Sequence, residues 1–215
     1  MSCRQCIGVK RLFDDKMARK ELKRYKKKGP AKSTRKLLDF IIKEGAEGKS
    51  LLDIGGGVGA VQHELYKAGI KSSVDVDASS AYLAAAKKES ELYGNLEHSQ
   101  FLEGDFTDDS IQPEPADIVT LDRVICCYDE MEKLVGKSSA LAKKIYAVVY
   151  PREIWYVILG HHIAKFGLFL IRHPYRMYVH SPEKVDSIIR GNGLIKKHSD
   201  RTILWRVDIY GRARD

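Results

Sequence analysis

Leu51-Leu52-Asp53-Ile54-Gly55-Gly56-Gly57-Val58-Gly59-Ala60 is the stretch whose reading decides the fold. Ser50 to Ile54 is a short apolar run broken by glycines, and Val61 to Ala68 resumes a helical pattern, so the order is strand, tight turn, helix. Glycines at such a hand-over let the backbone approach a ligand that side chains would otherwise block. The unit is half of a parallel α/β repeat.

The same alternation continues outward. Strands are expected at Lys71 to Val76, Leu96 to Leu102, Ile118 to Leu121 and Ile145 to Tyr150, with helices at Ser79 to Tyr93 and Met131 to Leu141. Parallel neighbours need crossover connections, so strands separated by helices imply a parallel sheet covered on both faces. On the N-terminal side, Phe13 to Lys28 predicts a polar helix ending at Gly29-Pro30. Ser33 or Thr34 is expected to cap a second helix through Ile42. On the C-terminal side, a helix from Pro182 to Arg190 precedes strands at Leu194 to His198 and Thr202 to Tyr210. The short Ser199-Asp200-Arg201 link makes these an antiparallel hairpin at the sheet edge.

Length and composition suit a globular α/β domain: 215 residues, 44% of them hydrophobic. The net charge of +8 is localised, because residues 1–36 hold 14 Lys or Arg against 3 acids and residues 37–215 sum to −3. The expected organisation is a basic helical arm (1–36) followed by a single domain (37–215). Within that domain, residues 151–180 form an apolar and aromatic insertion over the substrate. Cys3, Cys6, Cys126 and Cys127 do not form a secretory disulfide framework, and no signal peptide pattern is visible, so the expected setting is cytoplasmic. The run from Ile154 to Ile171 carries His161, His162 and Lys165 at its centre, which suits a surface contact with lipid better than a membrane span.

Gly55, Gly57 and Ala60 also satisfy the G-x-G-x-x-G/A dinucleotide pattern, so the loop alone leaves a nicotinamide cofactor and S-adenosylmethionine open. The acids around it discriminate. Asp53, two residues before the first glycine, suits a ligand bearing an ammonium or sulfonium and repels a pyrophosphate. Asp77, 22 residues beyond Gly55, stands at the end of the second strand, where a carboxylate can accept two ribose hydroxyls or cap the next helix. Gly104-Asp105-Phe106 supplies an acid and a ring where an adenine would lie.

Four segments in this order, LLDIGGGVGA (51–60), VDASSAYLAAAKK (76–88), FLEGDF (101–106) and DIVTLDRVICCY (117–128), resemble motifs I to IV of the class I S-adenosylmethionine-dependent methyltransferases. The resemblance implies a Rossmann-like, doubly wound seven-stranded sheet, mostly parallel with the last strand antiparallel, and S-adenosyl-L-methionine as cofactor. It carries cofactor contacts to Asp53, Gly55, Gly56, Gly57, Asp77, Ala78, Asp105, Phe106, Leu121 and Asp122. The segment before the first strand often closes over the cofactor in similar enzymes, which adds Tyr25 and Thr34, with Lys28 beside them. Asp122-Arg123-Val124-Ile125-Cys126-Cys127-Tyr128 replaces the short polar motifs that mark amino or nucleobase methylation, so the acceptor atom stays open.

Methyl transfer needs an aligned acceptor and, for some acceptors, a base. Asp122, Arg123, Tyr128 and His162 are the catalytic candidates, drawn from a wider set that includes Arg152, His161, His173 and His180. A small, partly apolar acceptor is the expected substrate. Alternatives are an RNA-interacting or cofactor-sensing module using the basic arm, and an NAD-dependent oxidoreductase. Peripheral membrane contact would combine the arm with the 154–178 insertion. No metal site is expected: Cys3 and Cys6 have no second spaced pair, and Cys126 and Cys127 suit apolar packing near the site.

Overall fold

The computed structural model describes residues 4–212. Three helices come first: α1 (Arg4–Leu12), α2 (Asp15–Lys28) and α3 (Lys32–Lys43). Then follow β1 (Ser50–Ile54), α4 (Ala60–Lys67), β2 (Ser72–Asp77), α5 (Ser80–Leu92), β3 (Ser99–Glu103), β4 (Ala116–Asp122), α6 (Met131–Ala140) and β5 (Ala142–Pro151). The chain ends with α7 (Trp155–Leu170), α8 (Pro182–Gly191), β6 (Leu194–Arg201) and β7 (Trp205–Arg212). One seven-stranded sheet has the order β3-β2-β1-β4-β5-β7-β6, parallel from β3 to β5, with β7 antiparallel to both β5 and β6. This is the Rossmann-like doubly wound sheet that the alternating pattern predicts.

Alternation along the strands sorts side chains to the two faces. Leu52, Ile54, Val119, Leu121, Tyr146 and Val148 pack with Met131, Leu134 and Val135 of α6 and Val185 and Ile189 of α8. Leu51, Ile118, Ala147, Val149, Val207 and Ile209 pack with Leu37, Leu38 and Ile41 of α3 and Val61 and Leu65 of α4. A third cluster, Ala18, Tyr25, Val58 and Tyr82, fastens α2 to α5 and the glycine loop. The basic arm is thus docked on the domain, and α3 runs through residue 36 without a break.

Several local expectations change. The helix expected to start at Phe13 starts at Asp15, because the Asp14 carboxylate accepts from the Met17 amide at 2.9 Å and caps it; α1 is a separate helix before that cap. Ala31, not Ser33 or Thr34, is the N-cap of α3. Both hydroxyl residues lie buried in its first turn, and the Thr34 hydroxyl is drawn to Asp122 instead. Residues 96–98 form a 3-10 turn, so β3 begins only at Ser99. Ser199 to Arg201 belongs to β6, and the hairpin turns at 202–204. β7 therefore slots between β5 and β6 and leaves β6 at the edge.

Candidate functional site

The parallel strands deliver their C-terminal ends to one crevice, where open α/β sheets bind ligands. A cavity of about 280 Å³ opens there, lined by the glycine loop (Gly55 to Val58), Asp53, Asp77, Ala78, Gly104, and Asp122 with the Arg123–Tyr128 segment. The remaining wall comes from elsewhere in the chain: Val9, Phe13 and Glu21 from the N-terminal helices, Tyr82 from α5, Tyr175 and Met177 after α7, and Trp205 at the start of β7.

The loop makes close approaches that only glycine permits. Gly55 has φ of 66°, and a Cβ there would lie 2.5 Å from Val124 Cγ2. A Cβ on Gly56 would lie 2.6 Å from both Asp75 Oδ1 and Gln62 Nε2 and 2.9 Å from Asp53 Oδ2. The backbone therefore rests directly on a buried polar cluster. Asp53 and Asp75 are register partners on β1 and β2, which brings two carboxylates side by side on one face of the sheet. Asp53 Oδ1 accepts from Thr120 Oγ1 at 2.6 Å and Oδ2 from Gln62 Nε2 at 3.4 Å. Neither oxygen of Asp75 has a partner within hydrogen-bond geometry. Burial pushes the Asp53 carboxyl up to about 7, against the opposing Thr120 hydrogen bond. Burial and the neighbouring Asp53 push Asp75 well above the usual carboxylate range.

This cluster has a stability signature. A carboxyl raised in the folded state binds more protons there than in the unfolded chain, so stability falls as pH rises from the ordinary carboxylate range through the raised value. Asp75→Asn removes one such group. With Asp53 at about 7, the parent is expected to lose stability between about pH 5 and pH 8, and the variant to lose less and be the more stable of the two at the upper end. Urea unfolding at the two pH values measures this. A parent whose stability rises across that window would contradict the assignment.

Asp77 orders the loop and the next helix together. Its Oδ2 accepts from the Gly57 amide at 3.2 Å and its Oδ1 from the Ser79 amide at 2.8 Å, while Ser79 caps α5 through the Tyr82 amide. Burial pushes the Asp77 carboxyl up to about 6, opposed by those two amides. At the end of β4, Asp122 Oδ2 accepts from Thr34 Oγ1 at 2.6 Å, and Asp122 Oδ1 lies 3.3 Å from Arg123 Nε. Arg123 also lies 3.6 Å from Glu21, which accepts from Tyr82 Oη at 2.9 Å. Arg123 holds φ of 65°, a strained conformation for a non-glycine residue that its paired surroundings maintain. The loop behind it is pinned by the Tyr178 amide donating to the Cys126 carbonyl at 2.8 Å and by His180 Nε2, 2.8 Å from the Tyr128 carbonyl.

The structure thus brings Asp53, Gly55, Gly56, Gly57, Asp77, Ala78, Asp122, Arg123 and Tyr128 to one cavity. Other expected residues stand apart from its lining. Asp105 accepts from the amide and hydroxyl of Thr107. Phe106 is buried in the core, its ring 5.0 Å from Lys137 Nζ, and Leu121 is a core residue. Tyr25 donates to Glu64 at 2.9 Å and stacks on His63, so the arm reaches the cavity through Val9, Phe13 and Glu21 instead. Thr34 acts through Asp122, and His162 is carried on α7, exposed and outside the lining. Glu21 is a cavity residue without a motif around it, and the one signal in the sequence is that it is the only acid between Lys16 and Lys36. Cys126 is buried and Cys127 lies 3.2 Å from Tyr175 Oη, both in the cavity wall. Cys3 lies outside the described residues.

The fold and the cavity define a Rossmann-like α/β architecture with a ligand crevice at the C-terminal ends of its parallel strands. Residues 52–144 match the family described as methyltransferase domain. Among solved structures, the Synechocystis PCC 6803 magnesium protoporphyrin IX methyltransferase with bound S-adenosylhomocysteine superposes with a TM-score of 0.69 at 20% identity, covering 84% of this chain and 81% of that one. A chain of the complex between the Haloferax volcanii Trm112 methyltransferase activator and a methyltransferase gives 0.70 at 15% identity, covering 96% and 98%. An O-methyltransferase family protein from Burkholderia thailandensis gives 0.66 at 16% identity, covering 84% and 56%. No curated protein matches the sequence. Residues 52–144 thus carry the methyltransferase-domain match, and the whole chain shares the Rossmann-like fold of these solved structures.

Proposed function

We propose that the protein transfers a methyl group from S-adenosylmethionine to a small, partly apolar acceptor. The observation that carries this is the acidity of the cavity wall: four acidic side chains, Glu21, Asp53, Asp77 and Asp122, against one guanidinium, Arg123, with burial holding Asp53 and Asp77 above the usual carboxylate range. Such a wall favours a ligand with ammonium and sulfonium charge and opposes the pyrophosphate of a dinucleotide. The cradle agrees with that ligand, because the glycine loop presents bare backbone and the Asp77 carboxylate stands at its lip. Gly55, Gly56, Gly57, Asp77 and Ala78 would hold the nucleoside, with Asp53 and Asp122 beside the charged end. When bound, the cofactor supplies an electrophilic methyl group on sulfur.

The chain's own work is alignment, exclusion of water and handling of a proton. Phe13, Tyr82, Tyr128, Tyr175, Met177 and Trp205 give the rest of the cavity an apolar, aromatic wall that suits a partly apolar acceptor. Asp122 is our candidate base where the acceptor carries a proton, held in place by Thr34 and Arg123. We assign Arg123 and Tyr128 to orienting the acceptor. His162, Asp105, Phe106, Leu121, Tyr25 and Thr34 receive no direct contact in this scheme.

Calorimetric titration with S-adenosylmethionine, S-adenosylhomocysteine and NADH tests the proposal. Binding of both adenosyl ligands and not of NADH is the expected result, and it directs an acceptor screen towards apolar small molecules. Binding of NADH alone, or of none of the three, would overturn it.

A further inference from the structure

Helix α7 turns its apolar face the wrong way for a globular protein. Trp155, Leu159, Ile163, Phe166 and Leu170 follow at intervals of 4, 4, 3 and 4 residues, which places all five on one side of the helix. That side faces solvent: Trp155 is 75% exposed, Ile163 64% and Phe166 62%, and no residue of α7 is buried. The exposed surface continues onto the neighbouring hairpin turn, where Ile203 is 75% exposed and its carbonyl accepts from Tyr156 Oη at 2.9 Å. A contiguous exposed patch of this kind marks an interaction surface.

Charge identifies the partner. There is no acidic residue from Ile154 to Pro182, whereas Lys165, Arg172 and Arg176 are all present. The segment following α7 is packed against α1, where a Cβ on Gly8 would lie 2.5 Å from the Tyr175 amide nitrogen and the Phe13 and Tyr175 rings meet edge to face at 5.9 Å. This brings the acid-free helix α1 to the C-terminal end of α7, with Arg11 in its last turn and Lys10 paired with Glu103 at 2.8 Å. Among the described residues Arg11, Lys165 and Arg172 form no ion pair. The helix measures about 24 Å at 1.5 Å per residue, short of the roughly 30 Å hydrocarbon core, and no helix among the described residues is long and apolar enough to cross a membrane. An apolar face with basic residues at its margin suits a helix lying in the plane of an anionic bilayer.

We infer that α7, with the Ile203 turn and the basic end of α1, docks the protein on the surface of an anionic phospholipid membrane. The apolar face enters the headgroup and acyl boundary, and the Lys and Arg side chains meet the lipid phosphates. The segment following α7 reaches the cavity wall through Tyr175 and Met177, and β7, which follows the Ile203 turn, reaches it through Trp205. On the methyl-transfer reading, a membrane-dissolved acceptor would then meet the site where the enzyme docks.

Flotation of the full chain with vesicles of phosphatidylcholine plus phosphatidylglycerol, against phosphatidylcholine alone, tests the docking, with fluorescence as a second readout. The protein is expected to float with the mixed vesicles, with a blue shift that Trp155→Phe removes. Ile163→Asp with Phe166→Asp should abolish flotation at unchanged thermal stability. Lys165→Glu with Arg172→Glu should weaken binding to the anionic vesicles by roughly tenfold or more. Failure of the parent to float overturns the inference. So does flotation unaffected by the α7 variants, or a dimer in solution that Ile163→Asp and Phe166→Asp dissociate, which would make a second copy the occupant. Vesicle binding requires no cofactor, so these failures would leave the calorimetric test of methyl transfer untouched.

Discussion

Gly55→Ala is expected to destabilise the ligand-free protein by about 3 kcal/mol, the sum of two physical terms. A left-handed backbone costs an L-residue about 1–2 kcal/mol, and Gly55 has φ of 66°. The new methyl would lie 2.5 Å from Val124 Cγ2, an overpacking that costs about 1–3 kcal/mol. The terms are separable. Val124→Ala in the Gly55→Ala background should recover the steric part and leave the backbone part, so a double-mutant cycle by urea unfolding should give clear coupling between the two positions. Additive effects would show that the loop shifts freely and that Val124 does not brace it. Because Val124 belongs to the segment after β4, the same substitution should also disturb Asp122 and Arg123, and affinity for S-adenosylmethionine should fall together with stability.

Asp77→Ala is the second large effect. If its carboxylate accepts the ribose hydroxyls, the variant should bind S-adenosylmethionine more weakly by about 1–3 kcal/mol. Part of that loss would be indirect, since Asp77 also receives the Gly57 and Ser79 amides and so shapes the cradle it belongs to. The pH dependence isolates the carboxylate. With its value pushed up to about 6, Asp77 takes a proton as pH falls through that value and loses acceptor capacity. Affinity of the parent should therefore decline on going below about pH 6, whereas Asp77→Ala should be flatter across the same range. Calorimetric titration at several pH values measures both. An unchanged affinity in a folded variant would remove Asp77 from the site.

The contrast between Asp77 and Phe106 shows what kind of information each position carried. Asp77 stands at the end of a strand adjacent to the glycine loop, so its place follows from strand order and spacing. Phe106 also follows a strand end, but Asp105 closes a local turn onto Thr107, and the ring lies in the core instead of the crevice. Phe106 lies three residues past the end of β3, beyond the reach of strand alternation, so the turn at Asp105 sets its direction. Asp75 was legible in principle. It shares the strand parity of Asp77, and its register with Asp53 could have been inferred once β1 and β2 were taken as parallel neighbours.

What the sequence determined by itself is local or periodic: the strand, glycine turn and helix of residues 50–67, the alternation behind a mostly parallel sheet, and the carboxylates stationed at strand ends. These depend on backbone sterics and on the period of apolar residues, which act over a few positions. The tertiary structure alone decided which distant side chains complete the cavity. Glu21, Tyr82, Tyr175 and Trp205 come from four separate segments, and no short-range signal ties them together. It also decided that the apolar run from Trp155 to Leu170 is a helix facing outward. Periodicity marks that an apolar face exists; which side of the molecule it turns to depends on whether the finished core has room for it, and here the sheet is already covered by α3 and α4 on one face and by α6 and α8 on the other.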